Sequence, residues 1–261
     1  MDYISSVTAV PNGNIFLLVI WGNGDWDHQR VAPTPKVKKG GIYILGQHFE
    51  INNFSTKANL MDLLAFELNP IVFHRLFSIS PKSIVNQLIC MQEIFPHESA
   101  AIGSTAAGEK CVTKQLSAME DFLWARIQNK TENNHHVLSQ AISIIEQHHG
   151  NICIKKLAEM LQICTRSLER RFLEILGIPP KSYSKIIQFN YAFRLLAQNN
   201  KKIGDIALEA GYYDQPHFVR QFRKASGICP THFCSTHQLT GNKGKKTNSN
   251  TAFLLHRTTF I

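Results

Sequence analysis

Residues 203–230 read IGDIALEAGYYDQPHFVRQFRKASGICP and indicate two short helices joined by a tight turn. Ala207 is small enough to let the two helices cross closely, and Gly211 can supply a left-handed turn residue without steric cost. Asp214 is a candidate N-cap for the second helix. The inner face of that helix is formed by apolar residues at steps of four and three: Phe218, Phe222 and Ala225. This layout predicts a helix-turn-helix.

A second copy of this pattern lies upstream. Its first block of matched residues is offset by 49 positions and its second block by 50, so the extra residue falls in the turn between them. The pairs are Ile154/Ile203, Leu157/Ile206, Ala158/Ala207 and Leu161/Ala210, then Leu168/Phe218, Arg170/Arg220, Phe172/Phe222, Gly177/Gly227, Pro180/Pro230 and Tyr183/Phe233. In the upstream copy Gln162 stands in place of the glycine, and Thr165 is the expected N-cap. The chain therefore contains two helix-turn-helix units.

A long helix is expected to join the two units. Two prolines at 179–180 favour its start, and two asparagines at 199–200 favour its end. Another helix is expected from Val137 onward, after the polar stretch 129–136, which is typical of a linker. We therefore expect an all-α domain at residues 135–235 whose apolar positions form a self-contained set.

The first half of the chain has a different pattern. Apolar stretches separated by Gly, Asn and Pro turn signals predict strands at 15–21, 42–45 and 60–68. Helical periodicity follows at 83–91 and 112–128. The expected fold class is α+β: a small β-rich domain at 1–130, an all-α double helix-turn-helix domain at 135–235, and a flexible basic tail at 236–261.

Positive charge is concentrated in the second half. Residues 135–235 hold 13 basic and 7 acidic side chains, whereas residues 1–134 hold 11 and 12, within a formal net charge of +9. This asymmetry indicates a polyanion partner, although a merely solvated surface has the same composition. No apolar run is long enough to span a membrane, and no secretory signal is recognisable. We therefore expect a cytoplasmic protein without a membrane partner.

Metal-binding and catalytic alternatives depend on isolated residues. Histidines pair at 135–136 and 148–149, but sequence neighbours point in different directions, and no cysteine or carboxylate lies at zinc-finger spacing. Other candidate sets are Cys229 with Cys234, and His28, His48, His74 and Glu67 as a β-barrel metal site. No surrounding motif supports either set. We expect no metal, no cofactor and no catalysis.

The outer faces of the two predicted second helices carry side chains that can read bases. They are Arg166, Glu169 and Arg170 in the first unit and Gln215, Val219 and Arg220 in the second. Arginine can donate two hydrogen bonds to guanine, glutamine can match adenine, glutamate can accept from cytosine, and valine can contact a thymine methyl group. An ordinary solvated helix face is the alternative interpretation of each helix taken alone.

The second unit also carries a recognisable signature: Ile203, Ile206, Ala207, Gly211, Tyr212, Asp214, His217, Phe218, Arg220, Phe222, Gly227 and Pro230. This signature strongly resembles the C-terminal part of the AraC/XylS family of transcription regulators. With the first unit and the joining helix, the resemblance covers about 100 of the 261 residues. The one-residue difference between the two turns is also a feature of that family.

The resemblance implies a seven-helix domain that inserts one helix of each unit into successive major-groove segments of double-stranded DNA. It implies that the six outward side chains of the two recognition helices contact bases. It also implies that four basic residues contact phosphates: Lys155, Lys156, Lys202 and Arg223. RNA polymerase, a small-molecule effector bound in the N-terminal domain and a second copy of the chain are further candidate partners. One departure lies in the joining helix, where the family often has arginines and this chain has Gln188, Phe189 and Asn190.

Three functions compete for the whole chain: a DNA-binding regulator, a sensor dominated by its first half, and an enzyme. Some methyl-transfer repair proteins carry this kind of DNA-binding unit. The reactive Cys-His-Arg group expected after a proline is absent, since Pro230 is followed by Thr231 and His232. The sequence therefore favours a regulator that reads DNA with two recognition helices.

Overall fold

The computed structural model describes residues 4–20, 27–29, 37–38, 40–56, 63–97, 99–100, 112–128, 135–198, 201–233 and 249–254. Strands and helices occupy the first half, and helices joined by short turns occupy the described part of 136–226. The expected α+β fold, with a β-rich domain ahead of an all-α domain, is confirmed.

Two four-stranded sheets form the N-terminal domain. The strands are β1 (Ile4–Ala9), β2 (Ile15–Ile20), β3 (Asp27–Gln29), β4 (Ile42–Leu45), β5 (Asn52–Thr56), β6 (Leu63–Leu68), β7 (Leu88–Cys90) and β8 (Ser249–Leu254). One sheet has the order β3-β5-β1-β8, and the other has the order β6-β2-β4-β7. Neighbouring strands are antiparallel except β1 and β8, which are parallel.

The second sheet is covered on both faces, which explains the uninterrupted apolar runs of β2 and β4. Every residue of these two strands is buried. Leu18 packs with Phe54 of the other sheet, whereas its neighbour Leu17 packs with the helices. Those helices are α1 (Pro70–Phe77), α2 (Pro81–Ile84), α3 (Met91–Ile94) and α4 (Val112–Gln128). The domain therefore has three layers: sheet, sheet and helices.

Several N-terminal predictions agree with the structure, and one is wrong. The strands expected at 15–21, 42–45 and 60–68 correspond to β2, β4 and β6, and the helix expected at 112–128 is α4. The helix expected at 83–91 is not formed. Helix α2 ends at Ile84, and Leu88–Cys90 instead pair with β4 as an edge strand. This pairing is a tertiary contact with another strand, and the helical periodicity of a single segment cannot predict it.

The C-terminal region is helical throughout its described length between 136 and 226. Its helices are α5 (His136–Gln147), α6 (Ile154–Met160), α7 (Thr165–Leu176), α8 (Pro180–Gln198), α9 (Ile203–Glu209) and α10 (Gln215–Ser226). Helix α8 is the joining helix and begins at the predicted proline. It places Tyr183 in the core of the first unit and Phe193 in the core of the second. The two cores therefore share one helix.

Neither of these cores is made from residues 135–235 alone. Val10, which is fully buried, belongs to the core of the second unit, and Ile51 packs against it. Phe49, Ile71 and Val85 pack against the core of the first unit. The expectation of a self-contained apolar set is therefore wrong, because the N-terminal domain completes both cores.

The C-terminal tail departs from the sequence expectation at one segment. Residues 249–254 form β8 and pair with β1 in register from Ile4–Ser249 to Ala9–Leu254, so these six residues are not a flexible tail. The remaining tail residues, 236–248 and 255–261, and the linker residues 129–134 lie outside the described residues. No helix in the described part of the chain is long and apolar enough to cross a membrane.

Candidate nucleic-acid interface

The two units have matching backbone hydrogen bonds in their turns. In the first, the amide of Ile163 donates to the carbonyl of Ala158 over 3.1 Å. In the second, the amide of Tyr212 donates to the carbonyl of Ala207 over 2.9 Å. Both alanines are buried, and their size lets α6 approach α7, and α9 approach α10. The described structure thus contains two helix-turn-helix units, as the repeat predicts.

Each turn contains one left-handed residue, and the two residues differ in chemistry. Gln162 has a φ of 54° and Gly211 a φ of 74°. This conformation costs a residue with a side chain about 1–2 kcal/mol, so the first turn carries a strain that the second avoids. A Cβ atom at position 211 would also collide with the side chain of Asn151. The turn role expected for Gly211 is confirmed.

The two recognition helices, α7 and α10, also start differently. Asp214 is the N-cap of α10, and its carboxylate accepts a hydrogen bond from the amide of His217 over 2.6 Å. The expectation that Thr165 caps α7 is wrong, because Thr165 is the first helical residue and Cys164 is the N-cap. The first turn is one residue shorter, which moves the cap position. Within the described residues, Cys164 makes no capping hydrogen bond.

The predicted base contacts lie on the outer faces of the recognition helices. Five are exposed, and Val219 is half-buried. Arg166, Glu169 and Arg170 line one surface groove along α7. Arg170 Nε lies 3.8 Å from Glu174 Oε1, but the side chains are 68% and 60% exposed. Such a pair contributes at most about 0.5 kcal/mol, so it leaves the Arg170 guanidinium accessible to a partner.

The predicted phosphate contacts are all exposed: Lys155, Lys156, Lys202 and Arg223. The first two lie in the first turn of α6, and Lys202 is the N-cap of α9. Neighbouring Lys201 differs, because its ammonium group forms an ion pair with Glu209 at 2.5 Å. The assignments of these four residues to phosphates, and of the previous six to bases, stay predictions.

Two exposed residues of this surface were missed at the sequence level. Leu173 is 48% exposed and lines the same groove as Arg170. The 50-residue offset pairs it with Arg223, a signal that could have identified it. Tyr213, which is 89% exposed, is the extra residue of the second turn and directly precedes the N-cap of α10. The one-residue insertion in the second turn, visible in the sequence, could have identified Tyr213.

The three residues of the joining helix that differ from the family pattern, Gln188, Phe189 and Asn190, each make an identifiable contact. The Gln188 amide group donates hydrogen bonds to two carbonyl groups of the second turn, at 2.9 and 3.0 Å. The Asn190 amide donates to the carbonyl of Pro11 over 3.0 Å. Phe189 packs in the second core, with its ring 5.5 Å from that of Phe222. Helix α8 therefore contacts both the second turn and the N-terminal domain.

A cavity of about 240 Å³ lies between the N-terminal domain, α8 and α10. Its lining includes apolar walls and ionisable groups: Pro11, Phe49, Ile186, Phe189, Tyr212, Lys185, Lys224, His217 and Glu50. Basic groups outnumber the one acidic group. The lining therefore suits a small molecule with an apolar body and an acidic group.

The residues considered for metal or catalytic sites have separate partners. His28 Nε2 lies 2.9 Å from Asn52 Oδ1, whereas His48 and His74 contact backbone carbonyls. Glu67 accepts hydrogen bonds from two asparagines. Cys234 lies outside the described residues. No group of three His, Cys, Asp or Glu suited to a metal ion occurs among the residues that the structure describes.

Comparison with known proteins locates one family domain in the chain. Residues 157–235 match the family model of a helix-turn-helix domain. The HTH-type transcriptional regulator ArgR of Pseudomonas aeruginosa is 26% identical over 126 residues, which are 48% of this chain and 38% of ArgR. The bifunctional transcriptional activator/DNA repair enzyme AdaA of Bacillus subtilis is 32% identical over 82 residues, 31% of this chain and 39% of AdaA. The matches thus span less than two fifths of either relative.

A solved structure resembles a larger part of the chain. ToxT from Vibrio cholerae superposes with a TM-score of 0.50 and 13% sequence identity, over 90% of this chain and 95% of ToxT. At this identity the likeness concerns the fold alone. It supports the order of a β-rich first half and a helical second half.

Proposed function

We propose that residues 157–235, which match the family model of a helix-turn-helix domain, are an AraC-type domain, and that the chain is a sequence-specific, DNA-binding transcription regulator. The observation that carries the proposal is the repeated unit. Each unit presents an exposed arginine, Arg170 or Arg220, at the same position of its recognition helix, opposite a buried phenylalanine-containing face. An arginine placed in this way can donate two hydrogen bonds to guanine in the major groove.

The two recognition helices are proposed to read different sequences. Apart from the shared arginine, the matched outward positions of the two helices differ. Glu169 of the first unit corresponds to Val219 of the second, and Leu173 of the first corresponds to Arg223 of the second. A carboxylate accepts from cytosine, whereas an apolar group contacts a thymine methyl. The target site is therefore two unlike half-sites on one face of the DNA, with centres about ten base pairs apart.

Selection of binding sites from random DNA tests this proposal. The full chain should enrich a motif of roughly 15–20 base pairs with two informative clusters. The double variant Arg170→Ala/Arg220→Ala should fold as the wild type does and lose that enrichment. Binding that depends on DNA length but not on sequence would contradict the proposal.

Lys202→Ala serves as the matched control for base reading. Because a phosphate contact carries no sequence information, this variant should weaken cognate and random DNA about equally and lower the salt dependence of binding. A loss confined to cognate DNA would contradict the assignment of Lys202 to phosphate.

A small-molecule effector is the second part of the proposal, and the interdomain cavity supports it. Because Lys185 and Lys224 line the cavity, we expect small carboxylic acids with an apolar body to raise the melting temperature of the full chain. The double variant Lys185→Ala/Lys224→Ala should lose that response. An equal response in both proteins would contradict binding in this cavity.

RNA polymerase and a second copy of the chain complete the proposed set of partners, and the proposed location is the cytoplasm. The two partners are proposed from the resemblance of residues 157–235 to AraC-type domains, and no surface described above carries them. Sedimentation of the full chain over a range of concentrations tests the dimer. Retention of RNA polymerase on promoter DNA by the wild type, compared with the double arginine variant, tests the contact with RNA polymerase.

A further inference from the structure

Three elements of the DNA-binding region contact the N-terminal domain at separate points. Gly177, at the end of α7, lies against the backbone of Pro81 and Lys82. At the end of α10, the carbonyl of Ala225 accepts a hydrogen bond from the amide of Ile51 over 2.8 Å. The third point is α8, where the loop at 10–14, between β1 and β2, packs against the joining helix. Both recognition helices and the helix between them are thus held by one body.

The loop at 10–14 reaches both cores. Val10 is fully buried in the core of the second unit. Gly13 lies on the ring of Tyr183, which belongs to the core of the first unit, so closely that a Cβ at position 13 would be 2.6 Å from the ring. Between them, the carbonyl of Pro11 accepts the buried hydrogen bond from Asn190. A displacement of this loop would therefore change the packing of both units.

The loop is also held firmly by its own domain. The side-chain amides of Asn12 and Asn14 both donate to one carboxylate oxygen of Glu67, at 2.6 and 2.7 Å. The amide of Gln47 donates to the carbonyl of Gly13 over 2.8 Å. Buried polar groups that are paired in this way resist rearrangement, because each lost hydrogen bond would leave a desolvated group. The loop is therefore fixed to the sheets on one side and to α8 on the other.

We propose that the loop at 10–14 is a positioning element that sets the spacing and orientation of the two recognition helices, and with them the half-site spacing that the protein accepts. This inference rests on the proposed function and specifies how the N-terminal domain controls it. The loop contacts no DNA in this scheme and acts through α8. A signal that moves the sheets would shift the preferred spacing without altering any base-reading residue.

Gly13→Ala tests the proposal, with Gly40→Ala as its matched control. Both glycines have a positive φ, 86° and 71°, so both substitutions cause similar backbone strain. Only Gly13 adds a collision with Tyr183, since no described atom lies within 4 Å of a Cβ at Gly40. A second variant, Asn190→Ala, removes the hydrogen bond to Pro11 and introduces no collision.

The measurement is selection by the full-length proteins from a DNA pool in which the separation of the two half-sites varies, together with the affinity for each isolated half-site. Wild type and Gly40→Ala should select one spacing. Gly13→Ala and Asn190→Ala should accept or prefer spacings changed by about one or two base pairs. They should also lose about fivefold or more at the original spacing, with half-site affinities unchanged. A merely structural role would lower binding at all spacings alike.

Two results would overturn the inference in distinguishable ways. If wild type selects two half-sites at one spacing, and both Gly13→Ala and Asn190→Ala select the same spacing as Gly40→Ala, the positioning role is wrong and the proposed function stands. If wild type selects no sequence at all, the proposed function fails and the inference fails with it.

Discussion

The first and second helix-turn-helix units share a backbone pattern and differ in what stabilises them. The second has strong local signals, a glycine at the left-handed turn position and an aspartate N-cap that accepts a hydrogen bond. The first has Gln162 in the left-handed conformation and Cys164 as an N-cap without a capping bond among the described residues. Local sequence therefore specifies the second turn better than the first.

Both recognition helices contact the N-terminal domain at their ends, the second through the hydrogen bond from Ile51 to Ala225 and the first through close backbone packing. Gly177 lies against the backbone of α2, whereas no described atom lies within 4 Å of a Cβ built on its counterpart Gly227. Ile71 and Val85 of the N-terminal domain also pack against the first core. Tertiary contacts can therefore complete a unit whose local signals are weak.

The largest expected effect is a difference in stability between substitutions at Gly177 and Gly227, the C-cap residues of the two recognition helices. Both have a φ near 75°, 74° at Gly177 and 77° at Gly227, so alanine brings the same strain of about 1–2 kcal/mol at either site. Only Gly177→Ala adds a collision with backbone atoms of Pro81 and Lys82, both 2.6 Å from the Cβ position. We expect losses in the free energy of unfolding of about 2–4 kcal/mol for Gly177→Ala and about 1–2 kcal/mol for Gly227→Ala. Urea unfolding of the full chain measures both, and equal losses would contradict the α2 contact.

The next effect compares the two arginines on DNA. Arg170→Ala and Arg220→Ala should each lower the binding free energy for the cognate site by about 1–3 kcal/mol and relax preference at one cluster of base pairs. Arg220 should matter at least as much, because α10 has the better defined start. Site selection with each single variant measures this, with thermal unfolding as the check on folding. A change in only one variant would mean that one helix reads sequence and the other contacts the backbone.

A smaller effect should follow from exchanging the caps. Asp214→Ala removes a capping hydrogen bond and should lower the free energy of unfolding by about 1 kcal/mol. Cys164→Asp offers the first unit a cap of the same kind and should raise it by about 0.5–1 kcal/mol. Thermal unfolding of the full chain compares the two. If Cys164→Asp brings no gain, the shorter first turn holds position 164 in a geometry that cannot cap α7.

The smallest expected effect concerns pH at the border of the first unit. His135 lies beside His74, with ring centres 6.5 Å apart. Its pKa is lowered, first by burial and then by the charges of His74 and Arg171. Because the folded pKa lies below the unfolded value of about 6.5, the unfolded chain binds more protons in mild acid, and stability falls as pH drops through that value.

The variant His135→Asn should reduce this pH dependence. We expect the melting temperature of the wild type to fall more between about pH 7.5 and pH 5.5 than that of the variant. His148→Asn is the matched control, since His148 is exposed and its ring contacts only a backbone carbonyl of its own helix in the described structure. Identical slopes for all three proteins would show that His135 does not titrate differently on folding.

Prediction from sequence succeeded where one short segment contains its own signals. Gly211, Asp214 and the spacing of Phe218 and Phe222 were enough to predict the second unit, and the repeat extended that prediction to the first. It failed at Thr165, because a turn shortened by one residue moves the cap to Cys164. It also failed at 83–91, where Leu88–Cys90 join the edge of β4, and at 249–254, which pair with β1 across the whole chain.

The sequence by itself determined the two helix-turn-helix units, the joining helix from Pro180 and the exposed arginines at matched positions, because helical periodicity, caps and turn residues act over a few residues. Only the tertiary structure decided that Asn190 bonds to Pro11, that Gly13 lies on Tyr183 and that Val10 enters the second core. Those contacts join residues 170 or more positions apart. They depend on how two packed bodies meet, and no local pattern encodes the complementarity of such distant surfaces.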